Sequence, residues 1–323
     1  MTAPDARPWL VTGAGGMLAR DLLGRLADAG IGAVAADRAA LDVTDADSVR
    51  AAFAAHRPAL VVNCAARTAV DAAEEDEAGA FAVNGTGPRL LAGACRAAGI
   101  PLLHVSTDYV FDGAGRDPYP EDAATAPLNA YGRSKLAGER AVLELLPDSG
   151  YVVRTAWLYG AGGSSFVRTV IGLERERPTL DVVEDQWGQP TWTGDLARQL
   201  AGLGLRALAG TAPAGVYHGS SGGRTTWFGF CREIFRQIGA DPDRVRPTTG
   251  DRYARPAPRP AWSVLGHRRW RAAGMAPIRH WRTALAEALP AMGHGPAVPP
   301  VTTGAPAERG APEKAEIACD PCA

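Results

Sequence analysis

The sequence lacks any run of about 18 or more apolar residues, so it predicts no helix that spans a membrane. Its N-terminal residues show no basic segment followed by an apolar one, which gives no support for secretion and favours a cytoplasmic protein. An excess of positive charge is also missing, because 34 Lys and Arg stand against 35 Asp and Glu without a basic stripe. That balance argues against a surface that binds nucleic acid.

Cysteine is scarce and scattered. The five cysteines are odd in number, and Cys64, Cys95 and Cys231 lie in apolar stretches, which is typical of buried thiols in a cytosolic protein. Cys319 and Cys322 form a lone C-x-x-C near the end of the chain, which without a second pair is weak evidence for a redox or metal site. The sequence shows no obvious carboxylate cluster for a metal ion either, so we predict no metal site.

What the sequence does contain, up to about residue 160, is an alternation of short apolar runs with longer amphipathic ones. The apolar runs predict strands and the amphipathic runs predict helices. Repeated βα units predict a parallel sheet with helices on both faces, which is a Rossmann-like doubly wound α/β fold. The predicted strands lie at 8–13, 31–37, 59–66, 100–107 and 151–157, and the predicted helices at 17–30, 45–58, 74–99 (interrupted near 85–88) and 129–146.

Beyond about residue 160 the pattern becomes irregular and predicts a smaller, mixed α/β C-terminal lobe for the substrate. We therefore place a Rossmann domain at 1–160 with parts of 185–220, and a substrate-binding lobe mainly at 161–289. Residues 290–323 are rich in Pro, Gly and Ala with few large apolar side chains, which predicts a disordered tail.

The segment VTGAGGMLA follows the first predicted strand and opens the first predicted helix. Gly13, Gly16 and Ala19 fit a G-x-x-G-x-x-A spacing. Small residues here let the backbone approach a pyrophosphate, and the helix N-terminus offers free N–H donors and a positive dipole end. An ordinary glycine-rich turn is the alternative, but the position between first strand and first helix favours a dinucleotide site.

Charged residues after the second predicted strand bear on the choice of cofactor. Asp37 ends that strand, where a carboxylate would accept a hydrogen bond from the ribose 2′-hydroxyl of NAD. Arg38 follows, and a guanidinium there could hold the 2′-phosphate of NADP. Both could instead be ordinary surface charges, so NADH and NADPH stay open. Asp42 and Val43, in LDVTD, either flank an adenine or lead into the next helix.

Tyr131 and Lys135 lie near the start of the predicted 129–146 helix and project from one face. A phenol has a pKa of about 10, and both a lysine ammonium and the positive helix end favour its ionised form. Carbonyl reduction needs such a proton donor, because the carbonyl oxygen gains negative charge. Thr107, at the carboxyl end of the fourth predicted strand, is well placed to fix that oxygen. An amphipathic surface pair is the alternative interpretation of Tyr-x-x-x-Lys alone.

Together these segments resemble the extended short-chain dehydrogenase/reductases and, more narrowly, the dTDP-4-dehydrorhamnose reductase family. The resemblance extends to about residue 289. It is carried by TGAGGML, LDVTD, VVNCAARTAVDAAE, AVNGTGPRLLAGAC, STDYVFDG, YGRSKLAGE, VRTAWLYG, DQWGQPTWTGDLA, GVYHGSSGGRTTWFGFC and RPAWSVL. STDYVFDG and the DQxGxPT segment are far more specific than the nucleotide loop.

The resemblance implies a role for each residue that matches a family position. Thr107, Tyr131 and Lys135 match the catalytic triad. Ser106, Asp108 and Tyr109, which surround Thr107 in the sequence, are expected to form a local hydrogen-bonded turn. The residues that match cofactor positions are Gly13, Gly16, Met17, Leu18, Asp42, Val43, Ala65, Ala66 and Thr68.

Four further residues match substrate positions of the family. Val110 and Trp157 lie where the family places apolar walls around the sugar, although a buried Trp could equally belong to the core. Gln189 matches a segment that approaches the nucleotide-sugar from the second lobe. Arg259 is expected either to pair with the diphosphate or to be a surface charge.

The function implied by the resemblance is reduction by NADPH or NADH of the C4 ketone of a dTDP-4-keto-6-deoxyhexose. The first expectation is conversion of dTDP-4-dehydrorhamnose to dTDP-L-rhamnose, or else formation of a related antibiotic-pathway deoxysugar. An epimerase or dehydratase that retains NAD, and a non-catalytic regulatory subunit of the same fold, are the alternatives. Some members of the family are dimers, which leaves a homodimer open.

Overall fold

A computed structural model of the chain describes residues 7–253 and 255–294. Its strands are β1 (Trp9–Thr12), β2 (Ala33–Ala36), β3 (Leu60–Asn63), β4 (Leu102–Thr107), β5 (Gly150–Thr155), β6 (Leu158–Tyr159), β7 (Leu180–Val183), β8 (Trp187–Gly188), β9 (Thr191–Trp192), β10 (Gly215–His218), β11 (Thr225–Thr226) and β12 (Val245–Thr248). Its α-helices are α1 (Met17–Asp28), α2 (Ala46–His56), α3 (Val70–Glu75), α4 (Glu77–Phe81), α5 (Gly87–Ala98), α6 (Ala130–Leu145), α7 (Phe166–Glu176), α8 (Thr193–Leu208), α9 (Trp227–Gln237), α10 (Arg269–Ala272) and α11 (Trp281–Ala291).

Six strands form the central sheet, in the order β10-β5-β4-β3-β1-β2. Every pair in this sheet is parallel. β1 and β3 are buried along their whole length, which explains their nearly uninterrupted apolar sequences. The Rossmann-like α/β fold predicted from the sequence is confirmed.

Helices cover both faces of the sheet, and β1 shows how alternate side chains serve the two layers. Trp9 and Val11 pack into a core beneath α1 and α8. Leu10 points the other way, into a core with side chains of α2, α5 and α6. The sheet is therefore doubly wound, and only the ends of its strands are free to carry a site.

The second lobe has an aromatic core of its own. β7 and β12 form a parallel pair beside α9. Phe166 of α7, Trp227 and Phe230 of α9 and Trp281 of α11 pack together there.

Although they lie late in the chain, β10 and α8 belong to the first lobe, since β10 pairs with β5 and α8 packs on α1. Both elements lie within 185–220, and the division of the chain into domains stays a prediction.

The interruption predicted near 85–88 takes the form of a π-helical turn, Ala82–Thr86, that joins α4 to α5 without a break. Asn84 within it is fully buried, and its side chain bonds to both backbone groups of Arg67 and to Ser134 Oγ (3.0 Å). Pro88 lies just after this turn, and because proline has no N–H it cannot bond to the preceding helical turn, which is where the regular α-helical pattern is interrupted.

The predicted tail begins too early. Pro290 lies inside α11, and Met292 is 6% exposed against the aromatic core of the second lobe. Leu289 and Met292 are buried together, so apolar packing holds this last turn despite the proline. Residues 295–323, including the C-x-x-C pair, lie outside the described residues.

Two kinds of feature are missing from the part of the chain that the structure describes. No helix there is both long and apolar enough to cross a bilayer. Within 7–253 and 255–294, no three His, Cys, Asp or Glu side chains are grouped so that they could hold a metal ion.

Candidate active site

The loop after β1 brings its backbone against the loop after β3 and then opens α1. Gly13 has a φ of +67°, and a side-chain carbon there would lie 2.7 Å from the amide nitrogen of Ala65, so the position requires glycine. Gly16 is the N-cap of α1, and no side chain of the described residues caps this helix end. The first N–H groups of α1 and the positive end of its dipole are therefore available to an anion.

A cavity of about 360 Å³, here called the strand-end cavity, opens beside this helix end. Thr107 and Thr155, paired at the carboxyl ends of β4 and β5, both line it. Ligands bind at this edge in open α/β sheets. The predicted site residues that line the cavity are Gly16, Met17, Leu18, Ala66, Thr68, Thr107, Tyr131, Lys135 and Trp157.

The first turn of α6 is fixed from two sides. Asn129 caps the helix by accepting a hydrogen bond from Gly132 N at its Oδ1 (2.8 Å). Gly132 lets the helix approach the turn after β4, because any side-chain carbon there would collide with the Tyr109 carbonyl oxygen. Tyr131 is 7% exposed and packs edge-on against the Tyr109 ring, with centroids 6.0 Å apart. These contacts hold the Tyr131 side chain at the cavity wall.

Lys135 is buried one helical turn further along α6. Its Nζ donates a hydrogen bond to Val105 O (2.7 Å), which ties the ammonium to β4. Burial lowers the pKa of Lys135 to about 8, although Glu139 and Cys64 act in the opposite direction. A lysine with this pKa carries its charge at neutral pH, so the cavity holds a cation near Tyr131.

Thr107 ends β4, and a turn of 3₁₀-helix, Asp108–Val110, follows it. Its Oγ1 accepts a hydrogen bond from Tyr109 N (3.2 Å) and donates to Asp108 Oδ1 (3.1 Å). The local turn expected for this segment is present. Ser106, Asp108 and Tyr109 also line the strand-end cavity, a placement that the turn prediction did not include.

Trp157 joins the two lobes at the cavity. Its ring stacks on that of Trp227, with centroids 3.4 Å apart and planes 12° from parallel. It is therefore part of the aromatic core as well as of the cavity wall, and a contact with the sugar stays a prediction. Its φ of +48° is uncommon for a bulky residue, and such backbone is found most often where a functional site requires it.

The residues expected near the adenosine ribose lie outside the lining of the strand-end cavity, after β2. Asp37 Oδ1 accepts hydrogen bonds from Ala39 N (3.0 Å) and Ala40 N (2.9 Å). The Arg38 side chain is 89% exposed, and its Nε lies 3.8 Å from Asp42 Oδ2. This arrangement leaves both charges at the surface.

Asp42 and Val43 have different surroundings. The side chain and amide of Thr44 donate to Asp42 Oδ1 (2.7 and 2.9 Å), and these hydrogen bonds lower the pKa of Asp42. Val43 is 5% exposed and packs closely against Gly87 at the start of α5. Val43 therefore belongs largely to the core, beneath the surface where Asp42 lies.

Two expected substrate residues are not among the residues that line the strand-end cavity. Val110 is fully buried at the end of the 3₁₀ turn and packs with Phe111, Leu136 and Leu265. Gln189 is also buried. Its Oε1 accepts from Ser220 Oγ and from Leu265 N (both 2.8 Å), and its Nε2 donates to Leu265 O (3.2 Å). Its amide is thus satisfied by the protein itself.

A second cavity, of about 400 Å³ and here called the lobe cavity, lies between α7, α9 and the segment 250–261. Tyr109 lines both cavities, so they adjoin. Arg259 lines the lobe cavity and makes a bidentate pair with Asp71 of α3 (3.0 and 2.9 Å). Burial alone would raise the pKa of Asp71, but hydrogen bonds from Arg259 and Ala257 N outweigh it and lower that pKa. Arg259 is thus a buried, paired cation, not a surface charge.

Several lining residues were not predicted. In the strand-end cavity they include Cys64, Val105 and the backbone of 162–164, and in the lobe cavity Tyr253 and Arg255. Cys64 and Val105 directly neighbour strand-end positions that were predicted, so the carboxyl-end rule could have found them. The residues of 162–164 and 253–255 lie in irregular segments, where the sequence pattern offers no such signal.

Comparison with known proteins identifies the family. The family profile described as "RmlD substrate binding domain" matches residues 7–293. The chain is 60% identical over 291 residues to a Streptomyces griseus protein named dTDP-4-dehydrorhamnose reductase, covering 90% of this chain and 96% of that protein. It is 55% identical over 282 residues to a Streptomyces niveus protein named dTDP-4-keto-6-deoxy-D-glucose reductase, covering 87% of this chain and 96% of that protein.

Among solved structures, the Bacillus anthracis dTDP-4-dehydrorhamnose reductase in complex with NADP is similar, with a TM-score of 0.83 and 35% identity over 88% of this chain and 98% of that one. The chain therefore belongs to the RmlD substrate-binding family, the dTDP-4-dehydrorhamnose reductases that its sequence resembles.

Proposed function

We propose that this protein reduces the C4 ketone of a dTDP-4-keto-6-deoxyhexose with NADPH or NADH. The first candidate reaction is dTDP-4-dehydrorhamnose to dTDP-L-rhamnose, and the second is formation of a related antibiotic-pathway deoxysugar. The observation that carries the proposal is that Thr107, Tyr131 and Lys135 line one cavity together with the uncapped end of α1. The names of the two Streptomyces relatives support the substrate class.

The residues present fit a nicotinamide dinucleotide. The close approach at Gly13 and the free end of α1 at Met17 suit a pyrophosphate, and Ala66 and Thr68 would line the nicotinamide half. When bound, the nicotinamide ring supplies the hydride. The NADP complex of the Bacillus anthracis relative supports NADPH, while Asp37 beside Arg38 keeps NADH in the proposal.

The chain's own contribution to the chemistry is proton transfer and orientation. Tyr131 donates its proton to the C4 oxygen as negative charge develops there. The Lys135 ammonium favours the resulting phenolate. One of its three N–H donors is used on Val105 O, which leaves the others for the phenol and the cofactor ribose. Thr107 orients the ketone oxygen through its hydroxyl group.

The lobe cavity suits the nucleoside diphosphate of the substrate. It adjoins the strand-end cavity at Tyr109, so a sugar can reach Tyr131 while its nucleotide occupies the second lobe. Arg255 and Arg259 line it and provide positive charge for a diphosphate. A lobe boundary near residue 160, a cytoplasmic location and a homodimer stay predictions of the sequence.

The test is incubation of the purified protein with dTDP-4-dehydrorhamnose and each reduced nicotinamide, followed by NMR of the product. Tyr131→Phe should lower kcat by about 10²–10⁴ and leave cofactor binding nearly unchanged. The matched control is Tyr151→Phe, which removes only a hydrogen bond to Ala212 O (2.9 Å) beneath α10 and should keep kcat.

Three other outcomes would contradict the proposal. Failure of every dTDP-4-keto sugar to oxidise NADPH or NADH would exclude the reductase. Tightly bound NAD⁺ on the isolated protein, with turnover that needs no added reductant, would identify the epimerase or dehydratase alternative. Co-purification with a partner enzyme and no turnover would identify the regulatory subunit.

A further inference from the structure

Asp108 is a buried carboxyl in the wall of the strand-end cavity, and the chemistry above gives it no task. It is 2% exposed and directly follows Thr107. Its Oδ1 accepts the Thr107 hydroxyl proton (3.1 Å). Its Oδ2 is buried and makes no hydrogen bond among the described residues; the Ser263 hydroxyl lies close enough to act on this carboxyl but donates to Trp187 O (3.4 Å). A buried oxygen without a partner is costly for a carboxylate and much less so for a carboxylic acid.

The donors and acceptors around Thr107 determine what its hydroxyl can offer to a substrate. A hydroxyl has one proton and two lone pairs. Thr107 Oγ1 accepts from Tyr109 N (3.2 Å), and its proton points at Asp108. While Asp108 is ionised, that charge-assisted bond holds the proton more strongly than a neutral ketone would. Once Asp108 is protonated, the bond can reverse, and the Thr107 proton becomes free.

We propose, on the basis of the function proposed above, that Asp108 is a positioning residue for the reduction. Its protonated carboxyl donates to Thr107 Oγ1 and thereby turns the Thr107 proton toward the ketone oxygen. The proton that completes the product alcohol still comes from Tyr131. Asp108 keeps its own proton through the step, so no further reactant is needed.

The surroundings of Asp108 make this protonation possible near neutral pH. Burial raises the pKa of Asp108 to about 7, although the Ser263 and Thr107 hydroxyls and nearby backbone groups act against it. Arg259, on the same segment as Ser263, is paired with Asp71. The titratable groups that share the cavity wall are Cys64 after β3, Tyr109 on the same turn, and Tyr131 and Lys135 on α6.

The pH dependence of kcat for reduction of dTDP-4-dehydrorhamnose tests the proposal. Wild-type kcat should fall as the pH rises through about 7, where Asp108 loses its proton. In Asp108→Asn the amide Nδ2 donates to Thr107 at every pH, so the fall should move toward about 8, where Lys135 titrates. Asp108→Ala has no donor, and its kcat should be lower by about 2- to 10-fold on the acid side, the effect of one hydrogen bond.

Two further measurements distinguish positioning from a general structural role. In a Thr107→Val background, Asp108→Asn should shift the pH profile no further, because Asp108 acts only through that hydroxyl. Infrared difference spectra should show a protonated carboxyl that titrates near pH 7 and is lost in Asp108→Asn. Asp112→Asn is the matched control, since hydrogen bonds from Tyr119 and Ala114 N hold the pKa of Asp112 low, and it should leave that band unchanged.

The possible results distinguish failure of the inference about Asp108 from failure of the proposed function. A wild-type protein that reduces no dTDP-4-keto sugar at any pH overturns the proposed function, and the inference with it. Wild-type turnover with a pH profile that Asp108→Asn leaves in place overturns the inference alone. An equal shift with and without the Thr107 hydroxyl, or an infrared band that Asp108→Asn retains, overturns it as well.

Discussion

Glu139 and Arg154 form a buried ion pair that supports α6 from behind the active site, and its loss should be costly. Glu139 Oε1 and Oε2 accept from Arg154 Nε (2.9 Å) and Nη2 (2.7 Å), with 1% and 4% of the two side chains exposed. The guanidinium also lies over the Phe111 ring, 5.1 Å from its centroid. His218 beside it stays neutral, because burial and Arg154 hold the pKa of His218 well below its ordinary value, so Glu139 is the counter-charge of the guanidinium.

Glu139→Gln keeps the size of the side chain but removes the negative charge. The Arg154 cation then stays buried without a counter-charge, which should cost about 3–5 kcal/mol of unfolding free energy. Glu144→Gln, also on α6, is the matched control. Its partner is Arg89 (3.1 Å), with 53% and 64% of the two side chains exposed, so its removal should cost only about 0–1 kcal/mol. The double change Glu139→Leu with Arg154→Met removes both charges and should cost less than Glu139→Gln alone.

Equilibrium urea unfolding, followed by tryptophan fluorescence and by circular dichroism, measures these differences. A lower midpoint with an unchanged slope indicates lost stability, and coincidence of the two probes shows that the lobes unfold together. The reasoning is refuted if Glu139→Gln costs no more than Glu144→Gln. It is also refuted if the double change costs as much as Glu139→Gln alone.

Three other predictions follow from particular contacts. Gly13→Ala should weaken NADPH binding at least tenfold in a fluorescence titration. The new methyl group would add about 1–2 kcal/mol of strain from the left-handed backbone and would collide with the loop after β3. Gly24→Ala, in an open part of α1, is the control and should bind NADPH normally. In Asp108→Asn, kcat should fall above pH about 8 as Lys135 loses its proton, the sign expected for a cation that must stay charged. Cys95 should resist iodoacetamide at pH 8 until the protein unfolds, as mass spectrometry of its peptide would show, because burial raises the pKa of its thiol.

The order of strands and helices in the first 160 residues could be predicted because each buried strand and amphipathic helix has a local pattern. β1 and β3 are buried along their whole length and are apolar up to a polar last residue, and α6 begins at an N-cap visible as Asn129. The π-turn at 82–86 could not be predicted from its glycines and proline. It depends on Asn84 reaching Arg67 and Ser134, which are distant in the sequence.

Within the site, the sequence could predict which residues lie together where position along a strand or helix decides the outcome, and their roles stay predictions. Thr107 at a strand end and Tyr131 with Lys135 on one helix face come together because topology alone places them. The burial of Val110 and Gln189 could not be predicted, because it depends on a 3₁₀ turn and on a buried amide network. Neither has a signature in the sequence, since an apolar residue or an amide next to a functional segment is equally suited to the core.

The contacts that shape the lobe cavity also join the lobes, and this limits what any single substitution there can show. Arg259 is already neutralised by Asp71, so its charge reaches a diphosphate only if both anions share the guanidinium. Arg259→Ala would leave Asp71 without its main partner and would loosen the segment around residue 259 from α3. Lower stability of the protein would then raise KM as much as the lost contact with the diphosphate. Arg255 lines the same cavity and offers a second cation. A rise in KM for Arg255→Ala with an unchanged unfolding midpoint would therefore assign the diphosphate contact, whereas the same rise for Arg259→Ala would not.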